Sequence, residues 1–565
     1  MPEMTLQQAF DLALQHHQTG RLQEAESIYR QILAVDPEHA DSLHLLGLIA
    51  HQVGRNDAAI ELIGLAIAIA PEHHMFHSNL GEACRIAGRL DEAIAAFRQA
   101  IALKPDYAEA QSNLGNALRD LGRLDEAIAA CRQAIALNPH LADGYNNLGN
   151  ALHEKGRLDE AIATYQHAIA LKPDFAKAYS NLGCTLRQRN RLDEAVAACH
   201  RAITLKPDFA GAHNHLGNAL RDQGRLDEAI TSYHQAIDLK PDFAEAHDNL
   251  GNALRNRGKF DEAIAIFRQA IALRPNCPEA HLNLGNALKQ RGMVDESIAT
   301  YEKAIALKSD FPEAYNNLGA ALWETRQFHE AITAYRKAIA LKPDFSEAYN
   351  NLGNALQSKG HLDEAISAIR HAIALKPGFS EAHGNLPNVL KDMGRLDEAI
   401  AAYRQAIAVE PDFSGSHSNL VYTLHFHPGY DARAIAAQHR DWNLQFAEPL
   451  KQSILPHAND RDPERRLRIG YMSPDFRDHV VGRNMLPLFE NQDGEHHEIF
   501  CYAEVVRPDN VTQRFRTSAN HWRSTVGFDD QSLAAKIQED KIDILVDLAM
   551  HMSDNRLQVF ARKPA

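Results

Sequence analysis

Cysteine is scarce in this sequence. Six cysteines occur among 565 residues, and no two of them form a CxxC pair. Most of them fall inside a repeating pattern described below, where that pattern takes a small apolar residue. This usage argues against a disulfide framework and a zinc site, and it predicts reduced thiols in a cytoplasmic protein. The cysteines are Cys84, Cys131, Cys184, Cys199, Cys277 and Cys501.

Long hydrophobic runs, glycine-rich phosphate loops and excess basic charge are also missing. The longest apolar stretch, Leu62–Ala70, is too short to cross a bilayer, and the N-terminus lacks a basic start followed by an apolar run. The formal net charge is −15, and residues 461–565 hold 15 Lys and Arg against 17 Asp and Glu, so most of the negative charge lies before them. We therefore expect no membrane and no nucleic acid as partners.

What the sequence does contain is a 34-residue repeat, seen clearly from Ala108 to Leu141. A fixed period of this length predicts a solenoid of stacked units rather than one compact core. Most units share an Asn-Leu-Gly core. The repeat glycine stands at Gly81, Gly115, Gly149, Gly183, Gly217, Gly251, Gly285, Gly319 and Gly353, and Gly47 extends the series backward.

Each unit has the pattern of two helices. Leu114, Ala117, Leu118 and Leu121 share one helical face, and Gly122 is placed to end that helix in a left-handed conformation. A second apolar stripe follows, with acidic residues at its start and a proline after its end. The pattern resembles the tetratricopeptide repeat. We predict a mainly α protein in which residues 1–424 form a superhelical solenoid of about twelve units, plus a degenerate one from Ser414.

A row of asparagines recurs in the first helix of the units. Two interpretations are open: the amides bind the main chain of an extended protein segment, or they only bridge helices. A second row lies three residues further on, on the same helix face. The first row consists of Asn79, Asn113, Asn147, Asn181, Asn249, Asn283, Asn317, Asn351, Asn385 and Asn419.

The repeat pattern is lost after Leu424. We interpret residues 425–466 as a helical connector and linker, and residues 467–565 as strands alternating with helices, which predicts a parallel α/β sheet. Predicted strands cover Leu467–Met472, Glu498–Tyr502 and Ile542–Leu548. Ligands of such sheets bind at the carboxyl ends of the strands. Polar residues follow the first strand (Ser473, Asp475, Asp478, His479) and the third strand (Asp547, His551, Ser553, Asp554, Asn555).

The stretches RLRIGYMSPDFRDH, HEIFCY and DILVDLAMHMSDNRLQVFARKPA resemble the start of the catalytic region of protein O-linked N-acetylglucosamine transferases, especially bacterial ones. The resemblance implies a Rossmann-like lobe of a two-lobed glycosyltransferase. It also implies transfer of N-acetylglucosamine from UDP-GlcNAc to Ser or Thr of proteins held by the repeats. By the same resemblance His479, Asp547 and His551 lie at the sugar and acceptor sides of the cleft, with the general base left open.

Two departures from the family bear on activity. Met550-His551-Met552 stands where bacterial relatives usually carry Gly-His-Thr, and the family's second, UDP-binding lobe is expected beyond Ala565. We therefore expect residues 1–565 alone not to transfer sugar and to bind no cofactor, UDP-GlcNAc being the donor substrate in the family. Because the histidine pairs lack acidic or thiol partners at ligand spacing, we predict no metal site. The alternative function is a non-enzymatic scaffold that binds extended peptides, and the repeats could also support a homodimer.

Overall fold

The 34-residue repeats fold into pairs of helices that pack against each other. A computed structural model describes residues 4–457, 459–460, 462, 464–551 and 555–565. These residues divide into two units, Met1–Gly292 and Met293–Ala565. The first helices of the repeats are α1 (Leu6–Gln18), α3 (Ala40–Gln52), α5 (His74–Ile86), α7 (Ala108–Asp120), α9 (Ala142–Glu154), α11 (Ala176–Gln188), α13 (Ala210–Asp222), α15 (Ala244–Asn256), α17 (Pro278–Gln290), α19 (Pro312–Glu324), α21 (Ser346–Ser358), α23 (Ser380–Asp392) and α25 (Ser414–Leu424).

The second helices follow after three-residue turns. Gly122 has a φ of +80° in such a turn, as predicted, and Arg326 takes a φ of +64° at the equivalent position of its own repeat. The second helices are α2 (Leu22–Val35), α4 (Asn56–Ile69), α6 (Leu90–Leu103), α8 (Leu124–Leu137), α10 (Leu158–Leu171), α12 (Leu192–Leu205), α14 (Leu226–Leu239), α16 (Phe260–Leu273), α18 (Val294–Leu307), α20 (Phe328–Leu341), α22 (Leu362–Leu375) and α24 (Leu396–Val409).

The apolar stripes of the two helices form the core of each repeat. Leu114, Ala117 and Leu118 are buried as the pattern predicts. The prediction was wrong for Leu121, which is 38% exposed because α7 has already ended at Asp120. The repeat glycine lies where the helices cross: a methyl group on Gly217 would lie 2.7 Å from Cδ1 of Tyr233. Glycine is therefore required by the close approach of the two helices.

In the second unit, the chain beyond the repeats begins with α26 (Ala432–Trp442). A π-helical turn, Asn443–Ala447, and a 3-10 segment, Glu448–Ser453, follow directly, so the predicted linker starts as helix. The remaining elements are β1 (Leu467–Ser473), α27 (Val480–Glu490), β2 (His497–Ala503), α28 (Asn510–Ser518), β3 (His521–Ser524), α29 (Asp530–Glu539), β4 (Ile544–Asp547) and α30 (Leu557–Ala561).

The four strands form one parallel sheet in the order β3-β2-β1-β4, covered on both faces. Ile499 and Cys501 of β2 pack with Phe489 and Phe515 of α27 and α28, whereas Phe500 and its alternating partners pack with α29 and α30. The predicted mainly α solenoid with a parallel α/β lobe is confirmed. Helix α28 and strand β3 were not predicted, because their sequences are short and largely polar. No helix in the described ranges combines the length and apolarity needed to span a bilayer.

Candidate active site and repeat amides

The polar segments after β1 and β4 leave the sheet at the same edge. The two strands are parallel neighbours, and Met472 of β1 pairs with Asp547 of β4. In open parallel sheets this carboxyl edge is where ligands bind. The topology therefore brings the two predicted polar clusters to one edge, with His479 following β1 and His551 following β4.

His479 caps the N-terminus of α27. Its Nδ1 lies 3.3 Å from the backbone N–H of Val481, which donates to it, and 3.3 Å from a carboxylate oxygen of Asp475. The Asp475 side chain is 11% exposed and the His479 side chain 39% exposed. One edge of the imidazole is thus held by its own loop, and a large part of the ring reaches solvent.

Gly482 allows α27 to start this close to the loop. A methyl group on Gly482 would lie 2.7 Å from the carbonyl oxygen of Asp475 and would overlap that of Arg477. Backbone atoms cannot move aside as a flexible side chain can, so a larger residue would displace the loop that carries His479. The role of Gly482 could not be predicted from the sequence, because an isolated glycine in a helix gives no sign of the contact that requires it.

Asp547 closes the turn after β4. Its two carboxylate oxygens accept hydrogen bonds of 2.9 Å from the backbone N–H groups of Ala549 and Met550. Burial raises the pKa of Asp547, an effect that the two backbone hydrogen bonds oppose. Met550 has a φ of +48° and is 70% exposed. A left-handed φ favours glycine over other residues, and glycine is the residue that the resemblance leads us to expect at this position.

His551 packs against the connector helix. Its Nε2 lies 3.1 Å from Nδ1 of His439, and its ring meets the Trp442 ring edge to face at 5.4 Å. Burial, reinforced by the neighbouring histidines, lowers the pKa of His551 to about 4, so the imidazole is neutral near pH 7. Its Nδ1 is buried and has no hydrogen-bond partner within the described ranges.

Helix α26 joins this loop to the last repeat helix. The Trp442 indole N–H donates to Oγ of Ser418 on α25 at 3.1 Å, and Nε2 of His439 lies 3.3 Å from Nε2 of His425 at the end of α25. The segment interpreted as a connector therefore contributes side chains to the candidate site. The available signal was that His439 and Trp442 lie three residues apart and share a helix face.

The two polar clusters keep separate hydrogen bonds. Among the described residues no hydrogen bond joins His479 to Asp547 or His551. Ser473 is buried and accepts from the backbone N–H of Asp475, while Asp478 accepts from Arg483. Asn555 accepts from the backbone N–H of Leu557. Ser553, Asp554 and Met552 lie outside the described residues.

The ten predicted asparagines occupy the same position in the first helix of their repeats. All are half-buried except Asn147, which is buried. Most of the asparagines whose contacts are defined donate a hydrogen bond to a side chain of the preceding repeat. Asn181 donates to Asn146 at 3.1 Å, and Asn385 donates to Asn350 at 2.9 Å. Asn147, Asn249 and Asn351 make the same contact 35 residues back, with Ser112, Asn214 and Asn316. Asn79 contacts His44 in this way.

These contacts mean that one N–H of several amides already bridges two repeats. The second row is also occupied in part: the hydroxyl of Tyr165 donates to Asn150, and that of Tyr233 donates to Asn218. An amide has two N–H donors and an oxygen with two lone pairs, so groups remain for a ligand. Hydrogen bonding between repeats is therefore observed, and peptide binding by the asparagines stays a prediction.

The repeats of this chain match known repeat families. A family model described as TPR repeat matches several overlapping segments that together exceed half of the chain. These segments are residues 81–119, 115–156, 149–186, 217–256, 251–292, 285–325, 327–360 and 388–425. The chain belongs to the TPR repeat family. Further tetratricopeptide-repeat models match residues 10–73, 176–209 and 346–379 of this TPR protein.

A second model, Glycosyl transferase family 41, matches residues 409–565. The TPR protein is 36% identical over 131 residues to a probable UDP-N-acetylglucosamine–peptide N-acetylglucosaminyltransferase, SPINDLY, of Petunia hybrida; the match covers 22% of this chain and 14% of that relative. The SPINDLY protein of Arabidopsis thaliana is 36% identical over 141 residues, covering 24% and 15%. The matched part thus spans about a seventh of these relatives' length.

A solved structure is also similar in part. An O-GlcNAc transferase mutant from Thermobaculum terrenum is 35% identical over 45% of this chain and 49% of that chain, with a TM-score of 0.41. The resemblance to tetratricopeptide-repeat O-GlcNAc transferases is confirmed by the two family models and the named relatives.

Proposed function

We propose that this TPR protein is a member of the protein O-GlcNAc transferases, which transfer N-acetylglucosamine from UDP-GlcNAc to Ser or Thr of proteins held by the repeats, and that residues 1–565 alone are inactive. The observation that carries the proposal is the extent of the glycosyltransferase family 41 match. It begins at residue 409 and runs to residue 565, so it includes α25, α26 and the whole parallel sheet. His479, Asp547 and His551 all fall inside it.

The proposed reaction needs an acceptor for one proton. The Ser or Thr oxygen attacks the anomeric carbon, the bond to the UDP oxygen breaks, UDP leaves, and the hydroxyl proton goes to a base. A base must be unprotonated at working pH. His551 is unprotonated near pH 7 because burial lowers its pKa to about 4, which also makes it a weaker base than an ordinary histidine. His479 is the more exposed candidate, with Asp475 beside it.

The repeats would supply the protein substrate. Tetratricopeptide repeats generally mediate protein–protein interactions, and the asparagine row lies on the first helices of the repeats. The amide groups not used between repeats could pair with the main chain of an extended segment, whatever its side chains are. Because all the row amides except that of Asn147 are only half-buried, such a segment could reach them without opening the stack.

The test is transfer of radiolabelled N-acetylglucosamine to acceptor proteins by residues 1–565 and by any longer protein that contains them. We expect no transfer by residues 1–565 alone. In an active longer protein, we expect His479→Ala or His551→Ala to reduce kcat at least about 100-fold, since general base catalysis contributes about 10²–10⁴-fold. His234→Ala, on the exposed side of α14, is the matched control. Inertness of every such protein, or full activity of both variants, contradicts the enzyme proposal.

The alternative function, a peptide-binding scaffold, is favoured by the repeats' predominance in the chain. It predicts binding of extended peptides that is unaffected by His479→Ala and His551→Ala and weakened by replacing several row asparagines with alanine. Since those asparagines also bridge repeats, hydrogen exchange of α9–α15 must be unchanged in the variants used. Self-association through the repeats, which we also propose, is measured by light scattering on the same samples.

A further inference from the structure

One stretch of the repeats departs from the repeat pattern at several positions that meet in space. Lys177, Cys184 and His215 stand where most other repeats carry an acidic residue, a second-row asparagine and a first-row asparagine. All three line one open pocket of about 320 Å³ on α7, α9, α11 and α13, together with Asn150, His153 and Asn181. Lys177 and Cys184 lie seven residues apart on α11, and His215 lies on α13, so departures from the repeat pattern on two helices line the same pocket.

Lys177 stands where other repeats have a carboxylate, and in two of them that carboxylate accepts a hydrogen bond from an asparagine. Asn214 donates to Glu245 at 3.0 Å and Asn350 donates to Glu381 at 3.1 Å, in each case 31 residues further along the chain. The residue 31 positions after Asn146 is Lys177. Eight other repeats carry an acidic residue at the position of Lys177: Asp41, Glu109, Asp143, Glu245, Glu279, Glu313, Glu347 and Glu381.

Two hydrogen-bond donors of this pocket, the amide N–H groups of Asn150 and the Lys177 ammonium, form no hydrogen bond within the described residues. The oxygen of Asn150 already accepts from Tyr165 at 2.8 Å and from Asn181 at 3.0 Å, which turns the Asn150 N–H groups away from both. Lys177 is exposed and forms no ion pair in the described part of the chain. The carboxylate of Glu154 is engaged by Arg119 at 3.3 Å.

The histidines of the pocket add no charge. Burial lowers the pKa of His153 and of His215, so both rings are neutral near pH 7. Nε2 of His153 is buried and has no hydrogen-bond partner among the described residues. His215 keeps the bridging role of the asparagine that it replaces, because its Nδ1 lies 2.9 Å from Oγ of Ser180. Arg119 also lines the pocket but is paired with Asp120 and Glu154, so Lys177 is the cation of the described lining that no ion pair occupies.

We propose that this pocket binds a carboxylate, and that its occupant is an Asp or Glu side chain of an extended protein segment held by the repeats. The inference rests on the proposed peptide-binding role of the repeats and adds a preference for acidic segments at α9–α13. A carboxylate supplies only acceptors, which matches the amide and ammonium donors. At the position of Lys177, two other repeats hold a glutamate that accepts from an asparagine of the preceding repeat.

The first experiment uses Cys184, which is half-buried and lines the pocket. The native chain is equilibrated at about pH 8.5 with disulfides of 3-mercaptopropionate, 2-mercaptoethanol or cysteamine, and labelling is read by peptide mass. We expect the carboxylate thiol to be favoured at Cys184 about fivefold over the neutral thiol. Cys277, also half-buried but far along the array, serves as the internal control and shows no such preference.

Lys177→Glu restores the residue type of the other repeats, so it is compatible with folding. It should abolish or reverse the preference at Cys184, whereas Lys337→Glu, an equal charge change on the exposed face of α20, should leave it intact. A preference insensitive to Lys177→Glu, no preference, or no labelling of Cys184 by any thiol overturns the proposal. None of these outcomes depends on sugar transfer, so failure here is separate from failure of the enzyme proposal.

A second experiment distinguishes a protein segment from a small free carboxylate. Two fluorescent 17-residue Gly-Ser peptides carry either Glu or Gln at the centre, and their binding is followed by anisotropy. We expect the Glu peptide to bind at least threefold tighter to the native chain, and the difference to vanish in Lys177→Glu. Equal binding of both peptides, with the thiol preference present, contradicts the extended-segment occupant and assigns the pocket to small carboxylates.

Discussion

Two helical glycines in neighbouring repeats should respond in opposite ways to a single methyl group. At Gly384 in α23 an added Cβ meets no atom within 4 Å. At Gly353 in α21 the same Cβ would overlap Cγ1 of Ile369, lie 2.9 Å from its Cδ1 and lie 3.3 Å from the carbonyl oxygen of Ala365. Both glycines are inside helices of the second unit, so they form a matched pair.

The magnitudes follow from two opposing effects. Replacing a glycine inside a helix with alanine stabilises the helix by about 1 kcal/mol, and this is the expected result of Gly384→Ala. Overpacking a core costs about 1–3 kcal/mol. The cost at Gly353 should lie near the upper limit, because Ile369 is fully buried, a β-branched side chain in a helix has one favoured rotamer, and the Ala365 carbonyl is backbone. We expect Gly353→Ala to destabilise its repeat by about 2 kcal/mol.

The assay is native-state hydrogen exchange, because a protein of this length is not expected to unfold in two states. A loss of about 2 kcal/mol corresponds to exchange about 30-fold faster in α21 and α22. Gly384→Ala should slow exchange in α23 about fivefold. In the double variant with Ile369→Ala, the Gly353→Ala effect should shrink, since the overlapping atoms are gone. Equal effects of the two single variants would refute the reasoning.

Three further outcomes follow from the structure. Arg326→Gly should stabilise α19 and α20 by about 1 kcal/mol, since a left-handed φ costs a non-glycine residue about that much, and hydrogen exchange of α19–α20 measures it. Burial raises the pKa of Asp543, but hydrogen bonds from Arg465 and other groups outweigh it and lower the pKa to about 2. The stabilisation that the ionised carboxylate gives to the fold should be complete above about pH 4 and lost towards pH 2. Asp543→Asn should therefore make the free energy of unfolding depend less on pH in that window, as measured by acid unfolding. The folded-state pKa of His551 is about 4, below the usual 6.5. Quenching of Trp442 fluorescence by the imidazolium should therefore begin only below about pH 5, and it should disappear in His551→Gln. A quenching midpoint near pH 6.5 would contradict the burial of His551.

Much of the fold could be predicted because its causes are local. The 34-residue period, the left-handed Gly122 and the apolar stripes all act within one or two turns of the chain, and they fix where helices such as α7 begin and end. The parallel sheet was predictable from three apolar strands alternating with helices. Strand β3 was not, because its half-buried residues, among them His521 and Arg523, resemble a loop in sequence.

The candidate site was predictable only in its residue types. Sequence and resemblance indicated His479, Asp547 and His551, and the strand order could be expected to bring their loops to one edge. Nothing in the chain near residue 551 indicates that its partner is His439, 112 residues earlier. Nor does the spacing of Lys177, Cys184 and His215 show that they share a pocket.

The sequence by itself determined the repeat, the helix pairs, the acidic character of the array and the alternation that makes the sheet parallel. The tertiary structure decided which polar groups are already paired, which are buried without partners, and which methyl group a helix crossing can accept. The physical reason is range: helix propensity, capping and turn conformation depend on neighbours in sequence. Burial, ionisation and close packing depend on atoms brought together by the fold, whose separation along the chain carries no sign of their distance.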